Sequence, residues 1–318
     1  MRFRDLADRQ RVAEWKSAIS RVRKAYRDYY GREPSLARPR LFTEKMQWRK
    51  LFDLDPRYAI LSDKVAARDF IAREIGADYL PQVLWLGDDP AAVPFETLQP
   101  PYVLKPTHGS GQVLRVHDRT IDIAAARETM RGWLNHRHGA VMDEPGYIHV
   151  PRRIVAERMI LDRDGTPPLE RRIFTFDGRV RMTQTIMVEG NALRIAAYHD
   201  RDWNRLPWRG DSEPHPGPFP RPQRYDEMIA RAEKLGANFD HVRVDLYDAD
   251  ERLYAGELTL YTWSGLVYFS TDEPDRVLGN YWSLKRPVTR AAAAVLLRRR
   301  DIPHPASART VTSTSMPR

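Results

Sequence analysis

The segments Arg243-Val244-Asp245-Leu246-Tyr247 and Gly256-Glu257-Leu258-Thr259 read as two strands of one hairpin that turns at Asp248–Glu251. The side-chain period of two places Val242, Val244 and Leu246 on one face of the first strand, and Arg243, Asp245 and Tyr247 on the other. On the second strand Leu258 and Leu260 oppose Glu257, Thr259 and Tyr261. If both apolar sets face the core, Asp245 and Glu257 come together on the opposite face. Two such carboxylates repel by a few tenths of a kcal/mol to about 1 kcal/mol when adjacent. A divalent cation turns that repulsion into binding, and Mg²⁺ typically takes one or two carboxylates plus the phosphates of a substrate. Arg243 beside them suits a phosphate or a developing oxyanion. The hairpin alone leaves an ordinary charged solvent face open as the alternative.

A second candidate is Lys105-Pro106-Thr107-His108-Gly109-Ser110-Gly111, a lysine leaving a short strand and entering a glycine-rich loop. Glycines flanking Ser110 let backbone N–H groups approach a phosphate closely. The spacing is neither G-x-x-x-x-G-K-[ST] nor G-x-G-x-x-G, so P-loop and Rossmann folds lose support. No G-x-S-x-G elbow is present, which leaves an α/β-hydrolase without a nucleophile. Lysine is scarce: 44 of the 52 basic residues are Arg, and Lys64 and Lys105 are the only lysines between positions 51 and 233. A compact ammonium kept where Arg fills the general surface suits a phosphate clamp. His136 and His138 lack a third ligand nearby and read as a surface loop rather than a zinc site.

These groups need elements to hold them. Val12, Trp15, Ile19, Val22, Tyr26 and Tyr29 recur at helical spacing over residues 5–30, a stripe that fits packing on the body or an interfacial membrane helix. Ser62 reads as the N-cap of a helix to Ile75, with Lys64 in its first turn. Strands are predicted at 82–86, 102–105, 112–116, 153–156, 170–176 and 180–187, the last two joined at Asp177-Gly178. Helices are predicted at 122–135 and 226–235. Residues 202–224 read as an irregular loop whose Trp203 and Trp208 either stack on a sugar or base or anchor the loop. Hairpins mixed with helices indicate α+β rather than a βαβ series.

Composition bounds the class. The chain has 318 residues, 42% hydrophobic and 30% charged, enough for a large core of one or two domains. The absence of Cys excludes disulfides, thiolate metal sites and cysteine nucleophiles. No apolar run approaches the roughly 20 residues of a membrane helix, and the N-terminus lacks a leader's apolar core, so a soluble cytoplasmic protein is expected. The net charge of +9 is uneven: residues 1–50 hold 15 basic against 6 acidic side chains, residues 284–318 hold 8 against 1, and the body between is acidic. Basic ends suit an anionic membrane surface or a polyanionic glycan, or they are simply solvated. No nucleic-acid partner is expected.

The order of these motifs resembles the ATP-grasp superfamily, most closely its TupA-like branch of bacterial surface-polysaccharide biosynthesis. The carriers are Ser62-Asp63-Lys64, Leu104–Gly111, Arg172–Gly178, Asp202-Trp203-Asn204-Arg205, Arg243–Tyr247 and Gly256–Thr259, over roughly residues 41–285. The resemblance implies a two-lobed ATP-grasp fold whose antiparallel sheets sandwich ATP. It also implies a basic helical extension (1–40), a catalytic body (41–285, lid lobe roughly 100–157) and a basic helix with a tail (286–318). By resemblance Lys64 and Lys105 hold the α- and β-phosphates, and His108, Gly109, Ser110 and Gly111 form the lid. Glu157, Arg158 and Met159 line the adenine and ribose site, with Glu170 a further ribose ligand. Asp245, Glu257 and Thr259 bind Mg²⁺, Thr259 standing where the family usually has Asn, and Arg243 with Lys105 stabilises the reacting phosphate.

The implied reaction is ATP-dependent carboxylate–amine ligation through an acyl phosphate, joining an amino acid or peptide to a carboxylated glycan or its precursor. A sugar kinase and a glycosyltransferase of the same pathway are the alternatives, and a basic-ended adaptor is the non-enzymatic one. The expected location is cytoplasmic, with peripheral attachment to the inner membrane face as the variant the basic ends allow. The short N-terminal extension implies an acceptor-binding part that is reduced or supplied by another protein.

Overall fold

A computed structural model describes residues 3–189, 192–210 and 215–284. The expected tail at 286–318 lies outside them. Helix α1 (Phe3–Tyr30) leads into α2 (Phe42–Phe52), α3 (Arg57–Ser62) and α4 (Ala66–Ile75). The stripe of α1 faces the body, with Ile19, Val22 and Tyr26 buried and Val12 left exposed. Trp15 Nε1 donates to the Leu51 carbonyl (3.1 Å) and Tyr30 Oη to the Val267 carbonyl (2.8 Å), so these apolar positions pack on protein.

The smaller sheet contains β1 (Val83–Gly87), β2 (Tyr102–Pro106), β3 (Leu114–Val116) and β4 (Ile154–Arg158), in the antiparallel order β1-β4-β2-β3. One face is covered by α5 (Ile123–Asn135), whose Ala126 and Met130 meet Tyr102, Leu104 and Ile154. Asp122 caps α5 by accepting from the Ala125 N–H at 3.0 Å.

The larger sheet is wholly antiparallel, in the order β10-β9-β5-β6-β7-β8. Its strands are β5 (Glu170–Phe176), β6 (Arg179–Glu189), β7 (Ala192–His199), β8 (Arg205–Leu206), β9 (His241–Ala249) and β10 (Arg252–Thr259). Helix α6 (Tyr225–Gly236) presents Met228, Ile229, Ala232 and Leu235 to the core shared with Ile173, Val242, Val244 and Leu246. Arg49 of α2 is fully buried and pairs with Asp240 at the root of β9, while donating to the Leu260 carbonyl at 2.8 Å. That buried pair fixes α2 against the strand carrying the candidate acids. Within the loop after β7, Trp203 stacks flat on His199 at 4.0 Å and donates to the Phe219 carbonyl, and Trp208 is buried. Both tryptophans are loop anchors.

Two buried imidazoles make the fold acid-sensitive. Burial, then Arg49, pushes His241 down to about 3; burial, then Arg171, pushes His199 down to about 4. The folded chain therefore holds them neutral while the unfolded chain protonates them near pH 6.5, so stability falls as pH drops below that value. At pH 5 each contributes about 2 kcal/mol of destabilisation. Melts from pH 7 to 5 are expected to fall by about 5 °C or more, and His241→Phe should remove close to one proton from the slope. An unchanged slope in that variant would show that His241 titrates normally.

Candidate active site

Asp245 and Glu257 are direct cross-strand partners in the β9–β10 ladder, and Arg243 and Thr259 are the next matching pair. The register is set by a bulge at Gly256, which stands between the Leu246–Ala255 and Asp245–Glu257 pairs. A Cβ at Gly256 would lie 2.5 Å from the Tyr247 ring, so a side chain there would displace the aromatic wall beside the acids. The row continues onto β5, where Arg172 pairs with Asp245. Arg243 grips Asp245 with two bonds, 2.7 and 2.5 Å, and Arg172 grips Glu170 at 2.8 Å.

Burial raises the Asp245 carboxyl to about 6 against the pull of Arg243, with Glu170 adding repulsion. Lys64, then Arg243, holds Glu257 below the usual carboxylate range despite its burial. Thr259 Oγ1 is buried without a hydrogen-bond partner. Two facing carboxylates and an orphan hydroxyl make an oxygen-only donor set that suits Mg²⁺ completed by phosphate oxygens. No group of three or more His, Cys, Asp or Glu that could hold a metal ion occurs among the described residues.

Lys64 joins this row to the glycine loop. Its Nζ donates to the Gly109 carbonyl at 2.6 Å and lies 3.6 Å from Glu257 Oε1, while its backbone N–H donates to the Thr107 carbonyl at 3.1 Å. The expected N-cap at Ser62 is corrected here: Ser62 ends α3, and the next helix starts at Ala66. The break comes from Asp63, whose Oδ1 accepts from the Val65 N–H at 2.9 Å, a local turn that competes with helix. Lys64 therefore occupies an inter-helix turn rather than a first helical turn.

Lys105 extends from β2 to Glu157 of β4, Nζ to Oε2 at 2.6 Å, and Arg68 of α4 takes Oε1 at 2.7 Å. These two cations hold the buried Glu157 below its ordinary value against desolvation. The backbone N–H groups of Arg158 and Met159 donate to the Gln82 and Pro101 carbonyls. Gly111 has φ +75°, a backbone conformation that favours glycine. Ser110 is exposed and His108 is buried.

Sequence reasoning missed Arg68 and Tyr147. Arg68 had a signal, four residues beyond Lys64, but its partner is 89 positions away. Tyr147 is raised by burial and then by Glu257, a proximity no local spacing reveals.

The model of the family described as TupA-like ATP-grasp matches residues 44–283, most of the chain and every motif of this site. The chain belongs to the TupA-like ATP-grasp family. The α+β fold with two antiparallel sheets is its architecture. The TupA-like chain is similar to the solved ATP-grasp ligase PsnB with its minimal precursor: 12% identity, 76% of this chain and 61% of that one, TM-score 0.38. For the D-alanine–D-alanine ligase of Bacillus anthracis with ATP the values are 18%, 63%, 55% and 0.38. For the ADP complex of N5-carboxyaminoimidazole ribonucleotide synthetase (PurK) they are 14%, 68%, 50% and 0.42. The TupA-like chain thus spans between 50% and 61% of the length of these three. No curated protein matches it significantly.

Proposed function

We propose that the chain is an ATP- and Mg²⁺-dependent carboxylate–amine ligase that joins an amino acid or peptide to a carboxylated glycan or its precursor in surface-polysaccharide biosynthesis. The observation that carries this is the convergence of Lys64 with the Asp245–Glu257 pair on one side and with the glycine loop on the other. When bound, Mg-ATP supplies the phosphoryl group that converts a carboxylate to an acyl phosphate, which an amine opens to an amide with release of phosphate.

Asp245 and Glu257, with Thr259 beside them, hold the cation. Lys64 and Lys105 bring point charges to the phosphates, and Arg243, fixed by Asp245, supports the reacting oxyanion. His108, Gly109, Ser110 and Gly111 close over the nucleotide, and Glu157, Arg158, Met159 and Glu170 line its base and sugar. The chain's contribution is positioning and charge neutralisation. No helix among the described residues is long and apolar enough to cross a membrane. The proposed location is cytoplasmic, with the basic ends available to an anionic surface.

The test is ADP release by the full chain over a panel of sugar acids and amines, with hydroxylamine as the trapping amine. Ligation requires ADP and free phosphate in equal amounts and a hydroxamate in the trap. A stable phosphorylated sugar would instead establish a kinase, and nucleotide-sugar turnover without ATP a glycosyltransferase.

A further inference from the structure

A cleft of about 230 Å³ opens between the glycine loop and residues 136–152. Its wall includes His108, His136, Arg137, His138, Tyr147 and Arg152. Sequence spacing made His136 and His138 an unremarkable loop; the fold places them with two guanidiniums and the loop histidine. Among the described residues the Arg137 guanidinium has no ion-pair or hydrogen-bond partner. That of Arg152 donates to the Leu134 carbonyl at 2.9 Å and meets no carboxylate.

The nearby acids are already engaged: Glu144 with His138 at 3.1 Å, Asp143 with Arg21. His108 is 3% exposed and its Nε2 lies 3.1 Å from the Trp133 carbonyl, which holds the ring in the cleft wall. Two guanidinium forks and an imidazole suit an oxyanion.

The cleft also abuts the candidate active site. Gly109, next to His108, receives the Lys64 ammonium, and Tyr147 lies within the electrostatic reach of Glu257. Its neighbour Gly146 donates to Tyr261 Oη at 3.1 Å, which fixes this wall to the loop after β10.

We propose that this cleft binds a second oxyanion of the acceptor substrate, a phosphate or a carboxylate other than the one activated. The inference rests on the ligase reading and narrows its substrate to a molecule with two separated anionic groups. Arg137 and Arg152 provide the charge, with His136 and His138 on the same wall.

Inorganic phosphate and acetate are the probes, followed through the ring proton shifts of His108, His136 and His138 in the full chain. Saturable shifts are expected for at least one probe, the tighter one identifying the oxyanion. The double variant R137Q/R152Q should weaken that binding about tenfold or more while keeping the melting shift given by Mg-ATP. Lys105→Met should leave the probe response intact. Absence of saturation with both probes, persistence in the double variant, or loss in Lys105→Met would each overturn the proposal. Failure of Mg-ATP to shift the wild-type melt would overturn the ligase reading instead, since the probe titration does not depend on nucleotide.

Discussion

Glu257→Gln is expected to lower ATP turnover by about 10³-fold, the scale of losing one preorganised electrostatic group at a reacting phosphate. The melting temperature should move by no more than about 2 °C. The first effect follows from geometry. Glu257 is the cross-strand partner of Asp245, so the proposed cation site keeps only one carboxylate when it is neutralised. The second follows from two small terms of opposite sign. The Lys64–Glu257 pair at 3.6 Å is an ion pair beyond ordinary hydrogen-bond distance and contributes about 1 kcal/mol or less. Its loss is offset by relief of the repulsion between facing carboxylates, a few tenths to about 1 kcal/mol. Lys64 retains the Gly109 carbonyl as a partner. ADP release and a thermal melt measured on the same preparation check both halves. Undiminished turnover would remove Glu257 from the cation site, and a collapsed melt would make it structural.

The hairpin at the heart of this prediction was legible because a period of two is a strong signal. Val244 and Leu246 had to face inward, which left Asp245 outward. On the partner strand the alternation holds on both sides of Gly256 but changes phase there. Ala255 faces Leu246 and Leu258 faces Val244, so two core residues three apart share a face, which plain alternation forbids. The bulge at Gly256 absorbs the extra residue. Without it Glu257 would have followed Ala255 and Leu253 inward. The sequence showed the glycine, not the bulge.

The Ser62–Lys64 region failed for a related reason: Ser62 and Asp63 are both good punctuation, and the choice depended on which side chain reached a free N–H. In the fold that is Asp63. Long-range recruitment was least visible. Arg49–Asp240 spans 191 positions and Arg21–Asp143 spans 122, and neither carries a periodic signature. Lysine scarcity, by contrast, singled out two residues that the fold brings to opposite ends of one loop. Lys64 reaches Gly109, and Lys105 leaves the strand that begins it.

Lys105→Met tests that second lysine, and the expected result is loss of nucleotide binding from a chain that still folds. Lys105 and Arg68 share Glu157, one on each carboxylate oxygen, at 2.6 and 2.7 Å. Removing the ammonium leaves the buried carboxylate with the Arg68 guanidinium, so no buried charge is stranded and the several-kcal/mol penalty of an unpaired ion does not apply. In the proposed site the nucleotide loses a charge-assisted bond of about 1.5–3 kcal/mol, a fall in affinity of roughly 10- to 150-fold. It also meets Glu157 with one counter-charge fewer, which acts in the same direction. Arg68→Met gives the contrast, since it takes the other oxygen's partner while leaving Lys105 in place, and its affinity should fall less. Titrating the melting temperature with ATP at fixed Mg²⁺ reads both variants. Equal losses would mean that the two cations act only as a pair holding Glu157, whereas an intact Mg-ATP shift in Lys105→Met would separate this lysine from the phosphates altogether.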